Sequence, residues 1–346
     1  VAVGYRAGKQ VTTGTQNVII GGLAGDALTT ATENTVIGYE ALTDATTCNY
    51  NTVLGTQAMK VGQNANRNTA IGFQALYNIT QSSALDTYNT AVGYAAGAQI
   101  TTGIKNTIIG GLAGDALTTG EKNIAIGYNA LTNEDEHGFN VAIGSDALRD
   151  QNAGIDAYNV AVGASAGATV TTGKQNTIIG GLAGDALTTG LGNVAVGYNA
   201  LGLEDTGGRN VAIGWNALRK LNVDSNAYNI GIGFMAGDVM TTGVENVIIG
   251  GLAGDVLTTG SRNIAIGYQA LSSEDEHGHN VAIGYYALRA QDAGSDAYNV
   301  AIGSSAGLSI TTGVQNTIIG GLAGDALTTG IENIAIGHNA LGNEDT

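Results

Sequence analysis

The chain has 346 residues, 55 of them Gly and none Pro, which excludes collagen. With 43% hydrophobic and only 12% charged residues it is also excluded from the disordered class. Thirteen basic residues against 29 acidic ones leave a formal net charge of −16, so a broad basic face for nucleic-acid phosphates is excluded. A single cysteine, Cys48, excludes an intrachain disulfide. No stretch approaches the roughly 18 apolar residues of a membrane span, so no membrane insertion is expected in this segment.

Self-similarity dominates the rest. The string Asn-x-x-aliphatic-Gly-x-x-Ala starts at Asn17 and recurs at Asn34, Asn51, Asn68, Asn89, Asn106, Asn123, Asn140, Asn159 and onward to Asn333, nineteen copies in all. Most steps are 17 residues, with one of 21 before Asn89 and steps of 19 before Asn159, Asn229 and Asn299. Three steps of 17 and one of 19 build a superperiod of 70. The superrepeats run over about residues 17–105, 106–175, 176–245, 246–315 and a partial 316–346. The first holds one extra unit, around Cys48. The pattern predicts one continuous repeat region over 1–346. Residues 1–8 fit the template without its Asn and Thr346 falls at position 13 of a unit, so a window from a longer chain is expected.

Counting Asn as position 0, Gly stands at 4, Ala at 7 and an aliphatic residue at 3 in every copy. A helix is excluded, because Gly at 4 and often at 8 and 14 costs about 1 kcal/mol each against Ala. Positions 1 to 3, such as Ile124, Ala125 and Ile126, predict a short strand closed by Gly. Thr118, Thr119 and Gly120 at 12 to 14 predict a second turn. Two short strands and two turns per unit describe one coil of an all-β parallel β-solenoid or β-roll, in which about 20 coils at roughly 4.8 Å per rung reach roughly 95 Å.

In-register stacking predicts ladders. Asn106, Asn123, Asn140 and Asn159 would bond the coils above and below. Ile109, Ile126 and Ile143 would line the core. Gly110, Gly127 and Gly144 would supply a positive φ or room for a neighbouring backbone. Ala113, Ala130 and Ala147 complete the framework. Positions 8 and 11 trade off, Gly114 with Leu117 but Leu131 with Glu134 and Leu148 with Gln151, which keeps one apolar plug per coil. On this assignment Ile126 lies inside and Glu134 outside. Both strand faces are apolar or small, so association of several chains is expected.

The Asn-Val-Ala-Ile-Gly string at 140–144, 210–214 and 280–284 resembles the head repeat of YadA-like trimeric autotransporter adhesins, and similar repeats appear in phage tail fibres. The resemblance covers the whole chain. It implies a left-handed β-roll, a homotrimer, and an extracellular, cell-surface or virion location. The unit is longer than that family's usual coil, and neither a stalk nor an anchor is expected within residues 1–346.

Candidate chemistry is sparse. Gly-Gly-Leu-Ala-Gly-Asp at 110–115 faintly resembles a phosphate loop or a calcium nonapeptide, but no Lys and Ser/Thr pair follows it, and Asp115 recurs only in every fourth coil. The acidic runs at Glu134, Asp135, Glu136 and at Glu274, Asp275, Glu276 are candidates for a hard cation such as Ca²⁺; the shorter echoes are Glu204 with Asp205 and Glu344 with Asp345. No other cofactor is expected. The recurrent rings at position 5, Tyr128, Tyr198, Trp215, Tyr268 and Tyr285, are candidates for contact with a surface glycan receptor, or equally for covering the roll's edge. No catalytic constellation recurs. The chain is therefore expected to be a non-catalytic structural or adhesive fibre shaft. The alternatives are a carbohydrate-binding or carbohydrate-cleaving tailspike and, from its Thr-Thr pairs, an ice-binding surface.

Overall fold

The computed structural model describes residues 1–343 and 345, so Glu344 of the shortest acidic echo lies outside the described residues. The chain divides into two compact units, Val1–Lys174 and Gln175–Thr346. Each is a parallel β-solenoid, and together they hold about 20 coils. Among the described residues there is no helix, and so none long and apolar enough to cross a membrane.

A coil carries one strand, usually of three residues, at positions 1 to 3. In the first unit Thr107–Ile109, Ile124–Ile126 and Val141–Ile143 pair in parallel with no offset, so that Ile109, Ile126 and Ile143 stand side by side. Val194–Val196, Val211–Ile213 and Ile230–Ile232 do the same in the second unit. The expected second strand is replaced by irregular backbone that still bonds from coil to coil, as Thr101 N–H does to Thr118 O at 2.9 Å. The exception is the pair Gln63–Asn66 and Thr80–Asp86. There the four extra residues before Asn89 lengthen the far side of the coil into a true strand.

The turns dictate why this sequence coils. Gly127 has a φ of 136°, and a methyl group on its α-carbon would overlap the carbonyl oxygen of Gly144 in the next coil. Gly at position 4 therefore serves both anticipated purposes, a backbone conformation closed to L side chains and close approach of a neighbouring chain. Positions 6, 8 and 16 are also left-handed whatever residue they hold, as Asn129 (54°), Leu131 (53°) and Phe139 (64°) show. A non-Gly residue there costs roughly 1–2 kcal/mol. Leu131 offsets this cost by full burial and by an N–H bond of 3.0 Å to Ala147 O in the next coil.

The inside of the coil differs from the expected arrangement. Position 2 points inward, with Ala125, Ala142 and Ile108 fully buried, and positions 7, 8 and 11 join it through Ala130, Leu131 and Leu117. Ile109, Ile126 and Ile143 instead face outward, with Ile109 38% exposed and the other two half-buried. Period-two alternation allows a three-residue strand to bury either its middle residue or its two ends. The narrow 17-residue coil selects the middle one, because Ala or one Ile at position 2 already fills the space that Leu at 8 or 11 leaves. A methyl group on Gly114 would lie 2.9 Å from Leu117 Cδ1 and 3.1 Å from Ile108 Cδ1, which is why the coil with a large position 2 takes Gly at 8.

Candidate functional site

The Asn file is a structural site built from one repeated side chain. Asn140 N–H donates to Asn123 Oδ1 at 3.0 Å, Asn123 N–H to Asn106 Oδ1 at 2.9 Å, and Asn106 N–H to Asn89 Oδ1 at 2.9 Å. The amide nitrogen turns the other way: Asn106 Nδ2 donates to Gly120 O at 2.8 Å and Asn123 Nδ2 to His137 O at 2.9 Å, each closing its own coil. Asn159 Nδ2 likewise bonds Gly173 O at 2.7 Å. These amides tie a coil to the next with their oxygen and close their own coil with their nitrogen, whereas Asn140 and Asn280 turn Nδ2 back to Gly138 O and Gly278 O at 3.4 Å. Ala113, Ala130 and Ala147 are fully buried.

The acidic turns are not what their charge predicts. Glu134 and Glu274 sit at position 11, the inward place that Leu117 fills one coil earlier, and both are fully buried, as is Glu204. Glu134 Oε1 accepts His137 N–H at 3.2 Å, Glu274 Oε1 accepts His277 N–H at 3.1 Å, and Glu204 Oε1 accepts Gly207 N–H at 2.7 Å. The second oxygen of each carboxylate has no partner. Glu136, by contrast, is exposed and contributes its carbonyl to Thr119 Oγ1 at 3.2 Å. The site the structure assembles is Glu134 with Asp135 and His137, and Glu274 with Asp275 and His277; Glu136 and Glu276 do not join. The expectation that Glu134 is a solvated turn charge is overturned, since position 11 is buried in this coil and the adjoining ones, as Leu117, Glu134 and Gln151 show. The sequence signal for this was the alternation of Leu117 with Glu134 at one position, together with His137 standing where other coils carry Gly.

Burial pushes the Glu134 and Glu274 carboxyls above the usual range and pushes Glu204 up to about 7 from 4.5. A carboxyl that holds its proton more tightly folded than unfolded contributes stability that is complete below about 4.5 and lost as pH rises through about 7. Glu204→Gln, neutral at every pH, is expected to raise the melting temperature at pH 8 and leave it nearly unchanged at pH 4.5. Equal shifts at both pH values in thermal melts would refute the assignment. Cys48, also buried, has its thiol pushed up to about 12, which makes it unreactive.

The aromatic candidates form stacks. Tyr198 and Trp215 lie 6.5 Å apart between ring centroids, Trp215 and Phe234 5.1 Å, and Tyr268 and Tyr285 5.8 Å, all near parallel. Tyr128 is exposed at the same position. Within these stacks the ring faces are turned on one another, so only ring edges and the outermost faces are open to a sugar. The loop at residues 110–115 is a tight turn, with Gly114 packed on Ile108 and Leu117 and with burial raising the Asp115 carboxyl.

Comparison with known proteins places no relative beside this solenoid: no family model, no curated protein and no solved structure matches the chain.

Proposed function

We propose that the chain is a non-catalytic segment of an extracellular fibre shaft, of the surface-adhesin or phage tail-fibre kind, working as a homotrimer. The observation that carries this is the outward aliphatic file of Ile109, Ile126 and Ile143, with Ile179 and Ile213 repeating it in the second unit. A single chain leaves this apolar strip in water, and an unbroken strip of that kind marks an association surface. The number three comes from the resemblance to YadA-like head repeats. Repetition supports a scaffold role, because each buried Asn is committed to bonds between coils and the same surface recurs unit after unit. Acidic side chains such as Glu136 keep the remaining surface soluble and discourage uncontrolled edge pairing.

Sedimentation equilibrium tests the proposal. The wild-type chain is expected at three times its 34.7 kDa mass, and the triple change Ile109→Ser, Ile126→Ser, Ile143→Ser is expected to shift the population to monomer with its β-sheet circular dichroism retained. A wild-type chain that sediments as a monomer at all concentrations would reject the trimer. The carbohydrate-binding alternative draws on the exposed rings of Tyr198 and Trp215. Saturable binding on a glycan array, lost on Trp215→Ala, would favour it over a purely structural role.

A further inference from the structure

We propose that Glu134, Asp135 and His137 bind one divalent transition-metal cation of the zinc type, and that Glu274, Asp275 and His277 bind a second. In each triad one donor atom from every residue lies within 4.8 Å of the others. His137 Nδ1 stands 3.5 Å from Glu134 Oε1 and His277 Nδ1 3.4 Å from Glu274 Oε1. Tetrahedral zinc with bonds of about 2.1 Å holds its donors about 3.4 Å apart, so Oε1 and Nδ1 already have that separation, and the Asp carboxylate offers a third donor within 4.8 Å of the other residues' donors.

The independent observation is the pair of orphaned buried atoms. Glu134 is fully buried and its Oε2 has no hydrogen-bond partner; His137 Nδ1 is buried and has none either, and the same holds for Glu274 Oε2 and His277 Nδ1. Leaving a buried carboxylate oxygen or ring nitrogen without a partner costs about 1–3 kcal/mol each; a cation on the imidazole and on both oxygens of the Glu carboxylate would remove that cost. Two carboxylates and one neutral imidazole offset the charge of a divalent ion. A nitrogen donor among oxygens selects zinc, cobalt or nickel over calcium, which takes six to eight oxygens. The chain also contains its own control: Glu204 and Asp205 repeat the acids, but Gly207 occupies the histidine position, and no triad forms there.

The site is independent of whether the chain is a fibre. Its test is titration of the full chain, stripped with chelator, with Zn²⁺ and with Co²⁺. The expected result is saturation at two ions per chain, a visible cobalt band, and NMR shifts on Zn²⁺ at His137 and His277 but not at His279, which stacks on Tyr298 instead. His137→Asn is expected to leave one site, and His137→Asn with His277→Asn none, each loss being at least about 100-fold in affinity, more than removal of an outer-sphere partner causes. Asp135→Asn, a milder change, is expected to weaken the first site with the melting temperature of the metal-free chain unchanged. Absence of saturable binding, histidine signals that do not move, retention of both ions in the double variant, or Ca²⁺ binding as tightly as Zn²⁺ would each overturn the proposal.

Discussion

Asn123→Ala is expected to lower stability by about 2–6 kcal/mol, because it strands two backbone groups at once. Asn140 N–H loses the Oδ1 it reaches at 3.0 Å, and His137 O loses the Nδ2 that reaches it at 2.9 Å. Asn123 and Asn140 are fully buried, so water does not replace the side chain without opening the stack. Asn123→Asp keeps an acceptor for Asn140 but faces His137 O with a second oxygen, so it is expected to be at least as damaging at neutral pH and to recover in acid as the carboxyl protonates. Denaturant unfolding of the three chains checks this. An alanine variant within about 0.5 kcal/mol of wild type would show that the file contributes little.

Leu131→Ala is expected to cost about 2–5 kcal/mol and Ile126→Ala less than about 1 in the separated chain. Leu131 is fully buried at the plug position, and Ile126 lies on the outward face of a strand whose inward residue is Ala125. The repeat alone predicts both side chains inside; the structure keeps Leu131 there and turns Ile126 outward. Melting temperatures at dilutions where chains do not associate measure it, and equal shifts for the two variants would contradict the assignment of inside and outside. At concentrations that favour assembly Ile126→Ala is expected to matter through association instead.

Much of the architecture was legible because repetition multiplies weak local signals. Gly at position 4 and Asn at position 0 have few other uses at fixed spacing, and both fall where a left-handed turn and a buried amide are needed, as Gly127 and Asn123 show. The metal candidate was half legible. The run Glu134-Asp135-Glu136-His137 stands out in the sequence by its charge, but charge alone gives no role to the imidazole of His137 and no reason to leave out Glu136, which is exposed.

The amino-acid order by itself determined the coil, its 17-residue length, its parallel stacking and the Asn and Gly files, since each depends on backbone constraints that act within a few residues and repeat. Only the tertiary structure decided which strand face is inside. Ile124, Ala125 and Ile126 are compatible with either choice, and the choice turns on whether Leu131, reaching in from the turn, leaves room for one methyl group or for two branched chains. The same closure of the coil carried Glu134, Glu204 and Glu274 into the interior, where burial and not composition governs their protons.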